Sequence, residues 1–415
     1  MNILVLSDNP LNKFLGDGLR EFGLLAPLAR RHRFDLLCFA RPGDRPDPDV
    51  ARVFRSVTTL PFPTSPQRPF LQRVARSLAL DACRAHSPEM KNEVAQRLAS
   101  GKVDLVLDVA CNMLLNLPDG PLPVPLVIDS IDEALLRDLR DLRAAPWSDK
   151  PRLARQTFMF WRYERRTMAR AQANVYVSEV DARTYRRIFP GRTATVVPNG
   201  VDIEHYCPST ETPDPSTLVF EGNMMFGPNV DTARRLALEI LPLVQEAIPD
   251  ARVVLVGRNP SPEVRALASD RVRVTGTVDD VRPWLARGTV FACPMRLGSG
   301  IKNKILQAWA MARPVVATPA SLGGLTAQDG VNLLVREDNR GFSDAVIELM
   351  RQPARAAQLG AGGRATVERE YAWSQRAVQF EAVLVEAVER WRAGRQFGAA
   401  MQGVAVAGKS SASRP

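Results

Sequence analysis

The chain has 415 residues, 45% of them apolar, which is too long for one ordinary core and suits two domains of about 200 residues each. Its net charge of +10 would draw nucleic acid, anionic lipid or a phosphorylated substrate alike, and charge alone does not choose among them. The five cysteines are odd in number and scattered, which excludes a disulfide framework or a zinc-binding spacing. No apolar run reaches the ~18 residues of a membrane-spanning helix, and Met1–Leu6 lacks the features of a secretory leader, so a cytoplasmic location is expected.

The first segment, Asn2–Ser7, is a short apolar strand followed by a loop with Gly16 and Gly18 and a periodic helix through Leu24, Leu25 and Leu28. Strand, glycine loop and helix open an α/β unit. Strands are expected again at Phe34–Phe39, Val103–Asp108, Leu126–Asp129 and Ala173–Val177, with helical stretches between them, and this alternation implies a parallel sheet. Beyond the Pro-rich stretch Cys207–Pro215 the pattern restarts with Leu218–Gly222, one long helix ending near Ile248, and strands at Arg252–Gly257, Val272–Thr275, Val290–Ala292 and Pro314–Ala317. Two Rossmann-like lobes facing across a cleft are therefore expected, divided near residues 200–216. The tail from Phe397 to Pro415, rich in Ala, Gly and Ser, reads as disordered.

The densest chemical signal is Pro294-Met-Arg-Leu-Gly-Ser-Gly-Ile-Lys-Asn-Lys-Ile-Leu-Gln307. Here a strand ends, a Gly/Ser loop turns and a helix starts. Backbone N–H groups at Ser299, Gly300 and Ile301 would be free to bind an anion, because a helix start combines orphan donors with a favourable dipole. Lys304 and Gln307 share one helical face. Lys302 and Lys304 are also readable as surface charge on a solvated helix start. The functional reading gains weight from chemistry, since a departing nucleoside diphosphate needs fixed positive groups, and lysine supplies a point charge.

The segment resembles the donor site of glycosyltransferase family 4, in which a Gly-rich turn, a basic residue and a carboxylate precede a pattern like Ala308-Trp-Ala-Met-Ala-Arg-Pro-Val-Val-Ala317. Val196-Val-Pro-Asn-Gly-Val-Asp202 is similar to the family's interdomain motif. Val274-Thr-Gly-Thr-Val-Asp-Asp280 resembles the loop that holds the donor base through backbone groups, here at Gly276 and Thr277. Gly222-Asn-Met-Met-Phe-Gly-Pro-Asn229 resembles the loop opening the second domain, and Asn332–Val335 and Tyr371–Trp373 fit its closing strand and return helix. Asn12–Arg20 and Val127–Asp132 look closest to transferases of bacterial exopolysaccharide clusters.

The resemblance implies a GT-B fold: residues 1–200 as an acceptor domain, 201–373 as a nucleotide-sugar donor domain, 374–396 as a helix returning toward the first domain, and 397–415 as a tail. It implies a retaining, metal-independent sugar transfer, with the nucleotide sugar as substrate and no cofactor. The acceptor would be a glycan or a lipid-linked glycan, and no nucleic acid is involved. Charge on the diphosphate would be met by Lys304, Arg296 and Lys302, with N–H groups of Ser299, Gly300 and the Gly16–Gly18 loop.

The chain departs from the family pattern at several places. Asn223 and Pro228 stand near the family's loop cations, Ser299 and Gln307 replace a pair of glutamates, and Ile131 stands where a histidine contacts the donor sugar. Asp132 is then a candidate to orient a sugar, or equally the N-cap of a helix over Glu133–Leu142. These departures keep two other readings in play, a non-catalytic partner in a polysaccharide assembly complex and a nucleotide-sugar epimerase. Asp47-Pro-Asp49 imitates a metal-binding pair but lies among prolines with no strand after it. Finally, Arg68–Leu78 places Phe70, Leu71, Val74 and Leu78 on one helical side with arginines elsewhere. That segment suits either an anionic membrane surface or a surface helix on its own core.

Overall fold

The computed structural model describes residues 1–13, 16–63, 85–296 and 301–410. The chain forms two compact units, Met1–Val197 with Ala377–Pro415, and Pro198–Arg376.

In the first unit seven strands form one parallel sheet: β1 (Asn2–Ser7), β2 (Arg33–Ala40), β3 (Phe54–Pro61), β4 (Leu105–Val109), β5 (Leu126–Ile131), β6 (Ala173–Tyr176) and β7 (Thr195–Val196), in the order β3-β2-β1-β4-β5-β6-β7. The central strands are buried on both faces, so they read as continuous apolar runs rather than as alternations. The second unit holds β8 (Thr217–Glu221), β9 (Arg252–Val256), β10 (Val272–Val274), β11 (Val290–Cys293), β12 (Val315–Ala317) and β13 (Leu334–Val335), in the order β10-β9-β8-β11-β12-β13. Strand order reverses between β1 and β4 in one sheet and between β8 and β11 in the other. In open α/β sheets, ligands bind outside the carboxyl ends of the strands at such reversals.

The strands expected from sequence are present, each within a few residues of its expected bounds. Two further strands, β3 and β7, are present as well. The helix expected from the Gly222 loop to Ile248 is instead three segments: a helix Gly227–Arg235, a π turn Leu236–Ile240 and a helix Leu241–Gln245. Pro242 is the cause, because it has no N–H to give to the turn before it and the ladder widens to accommodate it. The expected disorder is corrected for 397–410, since the last helix runs from Trp373 to Ser410, while 411–415 lie outside the described residues. No proline interrupts it before Pro415, and its alanines favour helix. Within the first unit this helix is tied to the sheet's periphery by Glu381, which takes Arg31 at 2.8 Å and the His32 ring at 2.6 Å.

Candidate functional site

In the second unit β8 and β9 end on two glycines that allow their loops to touch. A methyl group on Gly257 would lie 1.8 Å from the Gly222 carbonyl oxygen, so only hydrogen fits there. One on Gly222 would meet Asn229 Nδ2 at 2.7 Å and Lys304 Nζ at 2.9 Å. The loop then folds on itself. Met225 N–H donates to Asn223 Oδ1 at 3.2 Å, and the buried Asn229 amide donates to the Asn223 carbonyl at 2.9 Å.

The Oδ1 of that amide accepts from Lys304 Nζ at 2.8 Å. Lys304 stands one residue into the helix Asn303–Ala310, and its ammonium lies 4.2 Å over the Phe220 ring. Burial lowers its pKa, and the nearby Glu221 carboxylate works in the opposite direction. For Glu221 burial raises the pKa and Lys304 opposes the rise. A turn further along the helix, Gln307 Nε2 donates to the Tyr206 hydroxyl at 3.0 Å. The Tyr206 phenol is itself pushed up by burial first, then by the charges of Glu221 and Asp280. Lys304, Gln307, Asn223 and Gly222 are thus joined, together with three residues that sequence reasoning did not single out: Glu221, Asn229 and Tyr206. Asn229 closes the quoted Gly222–Asn229 motif and Glu221 immediately precedes it, but neither carries a spacing that marks it for the site.

The other expected donor residues take varied positions. Ser299 and Gly300 lie outside the described residues. Ile301 and Lys302 are buried, and Lys302 precedes the helix without a side-chain cap bond. Gly276 adopts φ 72° at the end of β10 with open space around it, followed by the exposed Thr277. Arg296 is held by two carboxylates, Asp231 at 3.4 Å and Glu239.

In the first unit Gly16 opens the helix Gly16–Leu25, and a methyl on Gly18 would fall 2.3 Å from the Asn12 carbonyl oxygen. From the same helix Arg20 reaches Asp129 at the end of β5 through two bonds, 2.7 and 3.0 Å, with both side chains sealed from solvent. Glu21 is buried beside them. Burial and the Asp129 charge push its pKa well up, with Arg20 opposing the rise. Neighbouring strand ends depart in left-handed conformations, at Ala110 and Cys111 after β4 and at Ile131 (φ 64°) after β5. For a β-branched residue that conformation is strained, and such strain gathers where sites are built. Asp132 follows, but it does not cap the next helix. That helix is Ala134–Ala144, and Glu133 caps it by accepting from Leu135 N–H. Asp47 and Asp49 are both engaged, the first capping Pro48–Ala51 and the second pairing with Lys13 and Arg52.

Two parallel sheets of this order, one in each unit, define the chain as a protein of the GT-B fold. Sucrose-phosphate synthase from Thermosynechococcus elongatus superposes with a TM-score of 0.66 at 15% identity, over 93% of this chain and 99% of that one. HepE of Anabaena in complex with UDP-glucose gives 0.62 at 15%, over 93% and 100%. The family model Glycosyltransferase Family 4 matches residues 22–205, and Glycosyl transferases group 1 matches 215–352. The chain belongs to the family 4 glycosyltransferases. Among curated relatives, a GDP-mannose-dependent monoacylated alpha-(1-6)-phosphatidylinositol monomannoside mannosyltransferase of Corynebacterium glutamicum is 30% identical over 48% of this chain and 58% of its own length. Alpha-maltose-1-phosphate synthase of Mycolicibacterium smegmatis is 31% identical over 48% and 57%, and a Mycobacterium leprae phosphatidyl-myo-inositol mannosyltransferase 26% over 46% and 54%. The matched region spans little more than half the length of each of these relatives.

Proposed function

We propose that this protein moves a sugar, with retention of configuration, from a nucleotide-sugar donor to a glycan or lipid-linked acceptor in bacterial polysaccharide or glycolipid assembly, at the inner face of the cell membrane. The observation that carries the reading is the position of Lys304. It sits where the second sheet reverses order, anchored by Asn229 at 2.8 Å and backed by the Gly222 turn. A cation held in place and partly shielded from water is what a leaving diphosphate needs, and its orientation costs nothing at the moment of reaction.

In this reading Lys304 meets the diphosphate, with the helix start at Ile301 and Lys302 supplying N–H groups and a second charge. Arg296 would have to leave Asp231 and Glu239 to join them. Gln307, braced by Tyr206, meets the donor ribose, and the backbone of Gly276 and Thr277 holds the base. Asp132 and the Gly16–Gly18 loop serve the sugar and acceptor side. The leaving phosphate takes the acceptor proton, so no protein nucleophile is required, and neither a metal nor a cofactor enters the scheme. The relatives' names support both a nucleotide-sugar donor and a phospholipid-borne acceptor.

The test is thermal-shift screening against UDP, GDP, ADP and their sugars, on the parent and on Lys304→Ala. The expected result is stabilisation of the parent by one nucleotide series and loss of that shift in the variant. An unchanged shift in Lys304→Ala would overturn the assignment.

A further inference from the structure

The helix Lys150–Thr167 of the first unit buries one side and exposes much of the other. Thr157, Met159, Phe160, Tyr163, Glu164 and Thr167 point into the core. Away from it stand Phe158, 49% exposed, and, just ahead of the helix, Trp147, 85% exposed. Phe158 stacks on Trp161 with ring centroids 5.8 Å apart. At 100° per residue Phe158, Trp161 and Arg165 fall on the same outward side.

The charge on this element is predominantly positive. Between Trp147 and Arg170 there are seven Lys and Arg against two carboxylates, Asp149 and Glu164, and Glu164 is turned inward and buried. Among the described residues Lys150, Arg152, Arg165 and Arg166 have no carboxylate within ion-pair distance. Two of these cations rest instead on the aromatic faces, Lys150 over Trp147 at 4.2 Å and Arg165 over Trp161 at 5.2 Å. Arg162 and Arg166 also border a hollow of about 1060 Å³ whose remaining wall includes Leu115, Leu122 and Trp391.

We propose that this face docks on an anionic phospholipid bilayer. Exposed tryptophan and phenylalanine interleaved with unpaired cations suit a headgroup layer, where the rings enter the apolar boundary and the cations stay at phosphate level. A protein partner or nucleic acid would also match the charge and take up the rings by burial or stacking, and these occupants are outcomes of the experiment below. The hollow beside the helix is lined by Arg162, Arg166 and Arg170, by apolar Leu115 and Leu122, and by Asp119, which is paired with Lys91, and in this proposal it takes one lipid headgroup. The proposal rests on the membrane placement proposed above and deepens it by naming the surface, but it does not depend on the donor chemistry, so loss of the nucleotide-induced shift and loss of flotation are separate outcomes.

The experiment is flotation of the full chain with vesicles of phosphatidylcholine alone and of phosphatidylcholine mixed with phosphatidylglycerol. Co-flotation is expected only with the anionic vesicles and is expected to weaken as salt rises. Arg152→Gln with Arg165→Gln removes two exposed cations and is expected to weaken partitioning about 25-fold, at about fivefold per charge. Trp147→Ser with Phe158→Ser keeps the charge and is expected to lose most binding. Circular dichroism of each variant checks that the fold is kept. Absence of flotation, equal flotation of both double variants and the parent, or salt-sensitive capture by DNA with none by vesicles would each overturn the proposal.

Discussion

Arg20 and Asp129 form a two-pronged ion pair, 2.7 and 3.0 Å, in a part of the first unit that water does not reach. They come from the first helix and β5, 109 residues apart in the chain, and they lock the helix Gly16–Leu25 to the carboxyl end of that interior strand. Arg20→Met strands the Asp129 carboxylate beside Glu21, and breaking a buried pair from one side costs about 3–5 kcal/mol. The double variant Arg20→Met, Asp129→Leu is expected to recover most of that loss. Urea unfolding of the three proteins checks this: a single variant as stable as the parent would show the pair to be unimportant, and a double variant no more stable than the single would show that the stranded carboxylate is not the cause of the loss.

The two facing glycines separate folding from binding. Gly257→Ala drives a methyl to 1.8 Å from a backbone oxygen, which the loops relieve only by moving apart, so a loss of several kcal/mol is expected. Gly222→Ala presses on two side-chain ends, and its larger effect is expected on nucleotide affinity, through displacement of Lys304. Melting temperature and nucleotide titration, measured on both variants, are expected to rank them in opposite orders.

Asn229 holds Lys304 and the Asn223 carbonyl together. Asn229→Leu keeps the volume and removes both bonds, leaving an ammonium and a carbonyl short of partners at a cost of about 1–3 kcal/mol. Nucleotide-induced stabilisation is expected to fall with it. Retention of the full ligand shift would mean that Lys304 needs no such anchor.

A pH dependence follows from Glu133. Burial first, and the charge of Asp181 as well, raise its carboxyl from 4.5 to about 7 in the folded protein, against bonds from Tyr176 and Leu135 N–H that act to lower it. The folded chain therefore holds a proton that the unfolded chain releases between those values. The stability linked to that proton is full below about pH 4.5 and is lost as pH rises through about 7, by about 3 kcal/mol. Glu133→Gln keeps an oxygen for Leu135 and removes the charge. It is expected to be more stable than the parent at about pH 8 and to show a flatter stability profile, read by chemical denaturation across that range.

Much of the architecture is legible in the residues, because strands buried on both faces appear as unbroken apolar runs such as Ile3–Leu6 and Val290–Cys293. The edge strand β3 escapes such a reading for the same physical reason. Phe54-Arg-Ser-Val-Thr-Thr-Leu-Pro61 is half-exposed, and Arg55 and Ser56 are spent on Asp35. At the site, Lys304 and Gln307 are visible through their helical spacing. Glu221, Asn229 and Tyr206 are not, since their meeting depends on strand ends brought together by the sheet, with 75 residues between Lys304 and Asn229. The Arg20–Asp129 pair was hidden likewise, although each partner sits within a quoted motif.

The coupling of Glu221 to Lys304 carries a consequence for calorimetry. The arrival of a polyanion next to Lys304 makes the neighbouring carboxylate harder to keep ionised, and Glu221 already starts with a raised affinity for hydrogen ions. Nucleotide capture should then draw hydrogen ions from the medium, so the measured heat would differ between phosphate and Tris by the ionisation enthalpy of the buffer. Replacing Glu221 by Gln should make the two heats agree.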